Sequence, residues 1–285
     1  MDNENNQGKF EYQKWHRYFV QIAGSMEEMG AAELEALGAR KVKPAYRGCY
    51  IHADRKTLFR INYESRLSTR VLAPLLTFQC HSTKYLYKTA RSIKWGMLLR
   101  PENTFAVFST VSHSAITHSK YAALCVKDAI VDFFRDTRGK RPGINREDPD
   151  VWINLHIENN RAVISLDTSG GSLHRRGYRV SAGEAPMQET LAAAIVGFST
   201  LKGDSLFYDP MCGSGTLTAE VLMRFCRIPA GYLRKRFGFE FLPDFNKEEW
   251  LSVRKKLMSR YVPCRRIPLP EVIYPARLLQ WHGQI

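Results

Sequence analysis

A short apolar run, a turn and an amphipathic helix follow one another in Ser205-Leu-Phe-Tyr-Asp209-Pro-Met-Cys-Gly213-Ser-Gly215-Thr216-Leu-Thr-Ala-Glu220-Val-Leu-Met. The run has the composition of a buried strand and ends at an acid, and the two glycines let the backbone of the turn come close to a ligand. The helix offers unpaired N–H groups at its start. A strand, turn and helix in this order predict a ligand pocket at the carboxyl end of the strand in an α/β fold.

The composition is that of an ordinary globular protein. The chain has 285 residues, of which 44% are hydrophobic and 25% charged, so it is long enough for two domains. No run of about 18 apolar residues occurs, so no membrane-spanning helix is expected. The first ten residues are polar and unlike a secretory or transit signal.

Six cysteines are scattered along the chain without any Cys-x-x-Cys pair. Their spacing argues against a zinc site or a disulfide framework and favours a reducing, cytoplasmic location. They are Cys49, Cys80, Cys125, Cys212, Cys226 and Cys264.

Basic residues are in clear excess, with a formal net charge of +14 and a pI near 9.6. Residues 1–100 hold 17 Lys and Arg against 9 Asp and Glu, so much of the excess lies at the front of the chain. Such a charge favours a polyanionic partner through counterion release, although a merely solubilising surface has the same composition.

The front of the chain alternates strand-like and helix-like patterns, and Gly38 follows the first helix as a typical C′ residue. The alternation predicts a small α+β unit with a ferredoxin-like layer over residues 16–80. The predicted elements are strands at 17–23, 46–53 and 71–78 and helices at 26–37 and 56–67.

A second unit is predicted over residues 81–168, with helices at 84–93 and 119–134 and a strand at 104–111. Two further strands, at 151–157 and 162–167, flank an Asn-rich turn that is typical of a β-hairpin. The longer helix has an apolar stripe that consists of Leu124, Ile130, Val131 and Phe134.

Several motifs, in order, resemble those of one known family. The first group of motifs resembles a THUMP domain. It consists of Ser119-Lys-Tyr121, Val126 to Asp132, Arg141-Pro142, Asp148-x-Asp150 and Leu166-Asp-x-Ser169. Leu173-His-Arg-Arg-Gly-Tyr-Arg179, Gly183-Glu-Ala-Pro-Met-Gln-Glu-Thr-Leu-Ala192 and Asp209 to Thr216 complete the match. From about residue 17 to about residue 258 the chain resembles the bacterial large-subunit ribosomal RNA guanine-N2 methyltransferases. The resemblance implies a THUMP-containing, cytoplasmic RNA methyltransferase that uses S-adenosylmethionine.

The resemblance also implies which residues hold the cofactor. Asp209 would meet the cationic amino-acid end of S-adenosylmethionine, the glycines would give the backbone room, and Thr216 would offer its hydroxyl as a helix cap. The segment from Ala185 to Thr190 would close over the cofactor, although a capped helix start also explains it. The implied cofactor-binding residues are Asp209, Pro210, Cys212, Gly213, Gly215, Thr216, Pro186, Glu189 and Thr190.

Basic side chains of the second unit and of the segment after it would contact ribosomal RNA, because structured RNA is recognised largely by shape and backbone. For any single one of them, a solvated surface position is the competing interpretation. The candidates are Lys120, Lys127, Arg138, Lys140, Arg141, Arg175, Arg176 and Arg179. No metal ligands are predicted.

Four other interpretations of the turn are weaker. It lacks the Lys of a nucleotide P-loop and the third Gly of the dinucleotide-binding fingerprint. Cys212 has no base placed beside it by the sequence, so a packed side chain is favoured over a nucleophile. Some DNA amino-methyltransferases carry a similar turn, but their catalytic Pro-Pro loop precedes it, and none does here.

The family's base-holding loop, Asn/Asp-Pro-Pro-Tyr/Phe, occurs nowhere in the 285 residues, so no catalytic residue is assigned. A second acid for the ribose is also expected, and Glu240 and Asp244 are roughly in range. After residue 261 the sequence becomes Pro-rich and loses its periodicity. We therefore expect the front portion of a methyltransferase, shortened in its cofactor domain, with a non-catalytic RNA-binding chain as the alternative.

The expected fold class is α/β and α+β: a ferredoxin-like unit and a THUMP domain, followed by the start of a Rossmann-like class I methyltransferase domain. One strand cannot cover a helix layer, so Leu191, Ile195, Phe207 and Leu222 are expected to lack a full core. The predicted layout is a flexible tail (1–15), the ferredoxin-like unit (16–80), the THUMP domain (81–168), a linker (169–186), the partial methyltransferase domain (187–261) and a Pro-rich tail (262–285).

Arg141→Ala tests the predicted RNA contact. If Arg141 neutralises one phosphate, the variant should bind RNA more weakly and the slope of log K against log salt should flatten by roughly 0.7–0.9. Binding titrations over a series of salt concentrations measure the slope. Lys56→Ala, a matched loss of one charge outside the motifs, should leave it unchanged, and an unchanged slope for Arg141→Ala removes that residue from the interface.

Overall fold

The structure is a computed structural model that describes residues 9–179, 186–202 and 207–262. Its strands are β1 (Arg17–Ile22), β2 (Arg40–Ala45), β3 (Gly48–His52), β4 (Ser68–Gln79), β5 (Thr104–Ser112), β6 (Gly143–Ile144), β7 (Val151–Glu158) and β8 (Arg161–Asp167). Its helices are α1 (Glu11–Trp15), α2 (Glu27–Ala36), α3 (Arg55–Glu64), α4 (Thr83–Arg91), α5 (Ser119–Arg138), α6 (Glu189–Phe198), α7 (Thr216–Phe225) and α8 (Lys247–Met258).

All eight strands belong to one sheet in the order β2-β3-β1-β4-β8-β7-β5-β6. Neighbouring strands are antiparallel, except that β5 runs parallel to both β6 and β7. The antiparallel pairing of β4 with β8 joins the two predicted front units into one continuous sheet. The order β-α-β-β-α-β over β1 to β4 is the ferredoxin-like arrangement, which confirms the predicted fold class for this part.

Local sequence explains most element ends. Gly38 follows α2 with φ +98°, as predicted for a residue just past a helix, and Asp54 caps α3 by accepting a hydrogen bond from Thr57 N at 2.8 Å. Asn159 and Asn160 have φ of 49° and 59°, and two positive values are what a tight hairpin turn between β7 and β8 requires.

The strand β2 was missed by the sequence analysis, which placed the second strand at 46–53. Its sequence, Arg-Lys-Val-Lys-Pro-Ala, carries no apolar alternation because β2 is an edge strand that is largely exposed. Lys and Pro are typical of edge strands, where they discourage pairing with other chains.

The apolar stripe of α5 is correct at Ile130, Val131 and Phe134, which are buried against the sheet, but wrong at Leu124. Leu124 is 38% exposed because it lies on the solvent side of the helix.

Residues 237–258, which lie within the predicted methyltransferase segment of 187–261, pack on the front of the chain. The Phe239 ring lies 4.6 Å from Phe59 of α3, and Trp250 of α8 lies 5.3 Å from Tyr63. The two acids suggested for the ribose serve this packing. Asp244 accepts a hydrogen bond from Tyr12 Oη at 2.6 Å, and Glu240 accepts one from Phe237 N at 2.9 Å.

From residue 186 onward the described residues form helices and turns and contribute no strand. The predicted strand at Ser205 lies partly outside the described residues, and Phe207 and Tyr208 are not in a strand. Leu191 and Ile195 of α6 are each 41% exposed, and Phe207 and Leu222 are half-buried. These four side chains therefore do not share a full core in the described part.

Two further observations bear on the composition. No helix in the described ranges is long and apolar enough to cross a membrane. Among the described cysteines, Cys49, Cys80, Cys125 and Cys212 are free thiols.

Gly238→Ala should destabilise the fold. Backbones approach so closely there that a Cβ on residue 238 would lie 1.9 Å from the carbonyl oxygen of Asp167. We expect a loss of at least about 1–3 kcal/mol of unfolding free energy, as for an overpacked core. Denaturant unfolding measures it, with Gly24→Ala as the control because no atom lies within 4 Å of a Cβ there. Equal stability of the two variants would contradict the close approach.

Candidate functional site

The predicted turn leads into α7 through two glycines in left-handed conformations. Gly213 has φ +51° and Gly215, the N-cap residue of α7, has φ +72°. Asp209 is half-buried and accepts a hydrogen bond from Met211 N at 3.1 Å through one carboxylate oxygen. No side chain caps α7, so the first N–H groups of this helix are left for a ligand.

Arg179 connects the starts of α6 and α7. Its Nη2 donates to the carbonyl of Met187 at 2.7 Å and to Thr216 Oγ1 at 3.0 Å, and it lies 3.5 Å from Glu189 Oε1. The structure therefore corrects two predictions. The Thr216 hydroxyl accepts from Arg179 rather than capping the helix, and Arg179 is engaged inside the chain rather than free for RNA.

Two buried polar atoms at this junction have no hydrogen-bond partner among the described residues. They are Oε2 of Glu189 and Nε of Arg179. Glu189 is only 4% exposed, and a buried carboxylate oxygen without a donor costs free energy. An anion and a cation beside two helix N-termini can hold a ligand that carries both a positive and a negative charge.

The implied cofactor residues fall into two groups in the structure. Glu189, Thr190, Gly215 and Thr216 are buried where α6 and α7 begin. The others lie nearer the surface: Pro186, Asp209 and Cys212 are half-buried, and Pro210 and Gly213 are exposed.

A buried ion cluster behind this junction was missed by the sequence analysis. Glu220 of α7 is fully buried and lies 2.6 Å from Arg176 Nε and 3.7 Å from Arg66 Nη1. Tyr178 Oη donates to Glu220 Oε1 at 3.0 Å. The spacing of Thr216 and Glu220, four residues apart on one helix face, was the signal that could have revealed it.

The cluster ties α7 to the front of the chain. Arg66 follows α3, and its Nη2 donates to the carbonyls of Met223 and Ile228 at 2.8 and 2.6 Å. Burial lowers the pKa of Arg66 to about 10, and the Glu220 carboxylate opposes that shift. Arg176, predicted as an RNA contact, is 1% exposed and is corrected to a structural cation of this cluster.

The remaining predicted RNA contacts are accessible or partly so. Lys120, Arg138, Lys140, Arg141 and Arg175 are exposed, and Lys127 is half-buried beside Asp128. A pocket of about 500 Å³ is lined by Pro101, Glu102, Arg135, Gly139, Lys140 and Arg141. Within the described residues, no group of three His, Cys, Asp or Glu side chains could hold a metal ion.

Glu220→Gln should lower the unfolding free energy by about 3–5 kcal/mol, because it removes the carboxylate that pairs with the buried Arg176 and with Arg66. Denaturant unfolding measures the loss. The control is Glu64→Gln, which removes one partner of the more exposed Arg60–Glu64 pair. That pair should contribute only about 0.2–0.5 kcal/mol. If the two variants lose the same amount, the cluster does not carry the stability assigned to it.

Three sequence families match the chain in order. The family described as "RlmL ferredoxin-like domain" matches residues 17–72, "THUMP domain" matches 80–167, and "RMKL-like, methyltransferase domain" matches 176–266. These segments correspond to the front units of the sheet and to the part that contains α6 and α7.

Individual proteins agree with the family matches. A Synechocystis protein named "Putative RNA methyltransferase" is 40% identical over 236 residues, which are 83% of this chain and 62% of that protein. A Cellvibrio japonicus protein named "Ribosomal RNA large subunit methyltransferase K/L" is 37% identical over 263 residues, 90% of this chain and 35% of that protein. The chain thus spans less than two thirds of the length of these relatives.

A solved structure described as "a putative methyltransferase complexed with SAH" is 25% identical, with a TM-score of 0.73, and the match covers 86% of this chain and 65% of that chain. The three family matches, in this order, show that the chain contains an RlmL-like ferredoxin segment, a THUMP segment and an RMKL-like methyltransferase segment, and that it is similar in sequence to the K/L proteins over 90% of its length.

Proposed function

We propose that the chain binds S-adenosylmethionine at the starts of α6 and α7 and ribosomal RNA through its front units, as parts of a cytoplasmic RNA methyltransferase. The methylated atom is the exocyclic N2 of a guanine in 23S-type ribosomal RNA, as the resemblance implies. The observation that carries the cofactor proposal is the pair of unpartnered buried atoms on Glu189 and Arg179.

The charges at the junction of α6 and α7 fit the cofactor. S-adenosylmethionine has an ammonium group and a carboxylate at its methionine end, and when bound it supplies the methyl group. Glu189 Oε2 can accept from the ammonium group, while Arg179 Nε and the free N–H groups of α7 can donate to the carboxylate. One carboxylate oxygen of Asp209 accepts from Met211 N, and the carboxylate can accept from a second donor as well.

The surface charges support RNA as the partner. Lys140 and Arg141 line the same pocket as Arg135, so three cations lie close together at the end of α5. Such a group can hold phosphates without reading sequence. The names of the relatives, which include ribosomal RNA methyltransferases, support the same partner.

A second candidate function is RNA binding without catalysis. It is favoured by one observation, the absence of any Asn/Asp-Pro-Pro-Tyr/Phe tetrapeptide from the 285 residues. Without the side-chain and backbone oxygens of that loop, nothing in this sequence is assigned to hold the guanine amine during transfer.

Calorimetric titration with S-adenosylmethionine tests the cofactor proposal. The wild-type chain should release heat, and Glu189→Gln should bind about tenfold or more weakly, because a hydrogen bond to a charged group is lost. Glu248→Gln, an exposed acid on α8, is the matched control and should bind as the wild type does.

No heat from the wild-type chain would contradict the cofactor proposal and leave the RNA-binding function. Transfer of a labelled methyl group to 23S-type ribosomal RNA then separates the two candidates. Labelled RNA supports the methyltransferase, whereas cofactor binding without any transfer supports the non-catalytic function for the chain alone.

A further inference from the structure

The sheet has two unlike faces. Val20, Cys49, Val71, Leu166 and Ile153 alternate along their strands and belong to the core beneath the helices. Their neighbours in sequence point to the opposite face, because successive side chains of a strand alternate. That opposite face is open at its two ends, where aromatic side chains remain partly accessible.

Aromatic residues stand at the two ends of one row across this face, and the middle members of the row, Leu72 and Asp167, are buried. Tyr50 pairs with Phe19, Phe19 with Leu72, and Leu72 with Asp167. Ile153 pairs with Leu166, so the preceding Trp152 comes opposite Asp167 and continues the row. Four strand spacings of about 4.8 Å separate Tyr50 from Trp152, a span of roughly 19 Å.

Each end of the row combines rings with a cation. The Phe19 and Tyr50 rings are 5.0 Å apart, and the Arg17 guanidinium lies 4.5 Å from the Tyr50 ring. Tyr50 is 40% exposed, and Lys43 of the edge strand pairs with it in the sheet and is exposed. This end therefore presents an accessible ring with positive charge on both sides.

At the other end, the Phe108 and Trp152 rings are 6.0 Å apart and both half-buried. The Arg70 guanidinium lies 4.3 Å from the Phe108 ring and 5.1 Å from the Trp152 ring. Arg70 also forms an ion pair with the fully buried Asp167, which holds the guanidinium over the rings. A base at this end would therefore stack on the guanidinium plane that the two rings support.

We propose that this open face is a stacking platform for unpaired RNA bases, with Phe19 and Tyr50 at one end and Phe108 and Trp152 at the other. The proposal rests on the proposed function in taking RNA as the partner. Rings on a sheet, together with Arg and Lys, bind single-stranded nucleic acid because every base has a face that can stack. Duplex RNA keeps its bases stacked on one another and offers mainly phosphates and 2′-hydroxyls.

The position of the platform suits the candidate cofactor site. Gly171 lies against the Trp152 ring, and Leu173 N donates to the carbonyl of Thr69 at 2.8 Å, so the segment after β8 runs along the edge of the platform. The same segment continues to Arg176, whose Nε lies 2.6 Å from Glu220 of α7. The edge of the platform is therefore linked through this segment to the helix that begins at the candidate cofactor site.

The test compares a single-stranded RNA of about 12 nucleotides with a duplex of the same sequence, bound to the 285-residue chain at one salt concentration. Tyr50→Leu and Trp152→Leu should each weaken single-strand binding about five- to 150-fold, the effect of losing one stacked base. Duplex binding should change less than about twofold, since it depends on phosphate contacts.

Matched variants exclude a general loss of structure. Tyr50→Phe and Trp152→Phe keep a ring and should retain single-strand binding. Tyr85→Leu removes a ring that is 50% exposed on α4, on the helix side of the sheet, and should bind as the wild type does. If a thermal melt shows that Trp152→Leu is unfolded, Tyr50→Leu alone carries the test, because Tyr50 lies at an exposed position.

The possible results separate the platform from the RNA proposal and from the cofactor proposal. If the wild type binds the single strand and neither leucine variant weakens it, the platform is overturned while RNA remains the partner. If the wild type binds no RNA of either kind, the platform and the RNA part of the proposed function fall together. If stacking is confirmed but calorimetry finds no cofactor binding, the platform stands and the cofactor proposal fails.

Discussion

The single sheet of residues 17–167 depends on β4, which pairs with a neighbouring strand on each of its two edges. This strand pairs with β1 through Ser68–Leu72 and with β8 through Leu72–Gln79, and Leu72 pairs on both sides. Two units that could each have closed on their own core are thereby held in one sheet. The helices cover one face of that sheet, and on the other face side chains of β3 to β7 that are far apart in sequence come into one row.

Buried charges then fix the rest of the chain to the end of this sheet. The carboxylate of Asp167 is paired with Arg70 and accepts from Ser169 N at 2.9 Å, and burial nevertheless raises its pKa. Arg234 donates to the carbonyl of Ser169 at 2.8 Å, and Gly238 allows its backbone to pass close to Asp167. Such pairs add little net stability compared with apolar contacts, but they are costly to break one partner at a time. They therefore specify one arrangement of the segment after β8.

Hydrophobic periodicity predicted the helices and strands that bury only one face. The helices α5, α6 and α7 and the hairpin of β7 and β8 were found because each has an apolar face or a turn with a defined sequence. The edge strand β2 was missed because an exposed strand has no such face. The packing of Phe239 on Phe59 joins residues 180 positions apart, and no local pattern encodes a contact at that range.

The residues of the candidate site, too, were predicted only where a local motif marks them. The turn from Asp209 to Thr216 and the start of α6 were recognised from motifs, and both lie at one junction. Arg176 and Arg179 were assigned to RNA because sequence shows a charge but not its burial. Only the structure distinguishes a cation that neutralises Glu220 from one that faces solvent, as Arg175 does.

The helices α6 and α7 have one supported side and one open side. The pair is held where Ala193 and Ala194 pack with Leu67 and where Glu220 meets its two arginines. On the other side of the pair, Phe198 is 74% exposed. The charged groups that we propose for the cofactor and the rings that we propose for RNA bases are held by separate sets of contacts within the described residues. The two proposed affinities can therefore be measured one at a time.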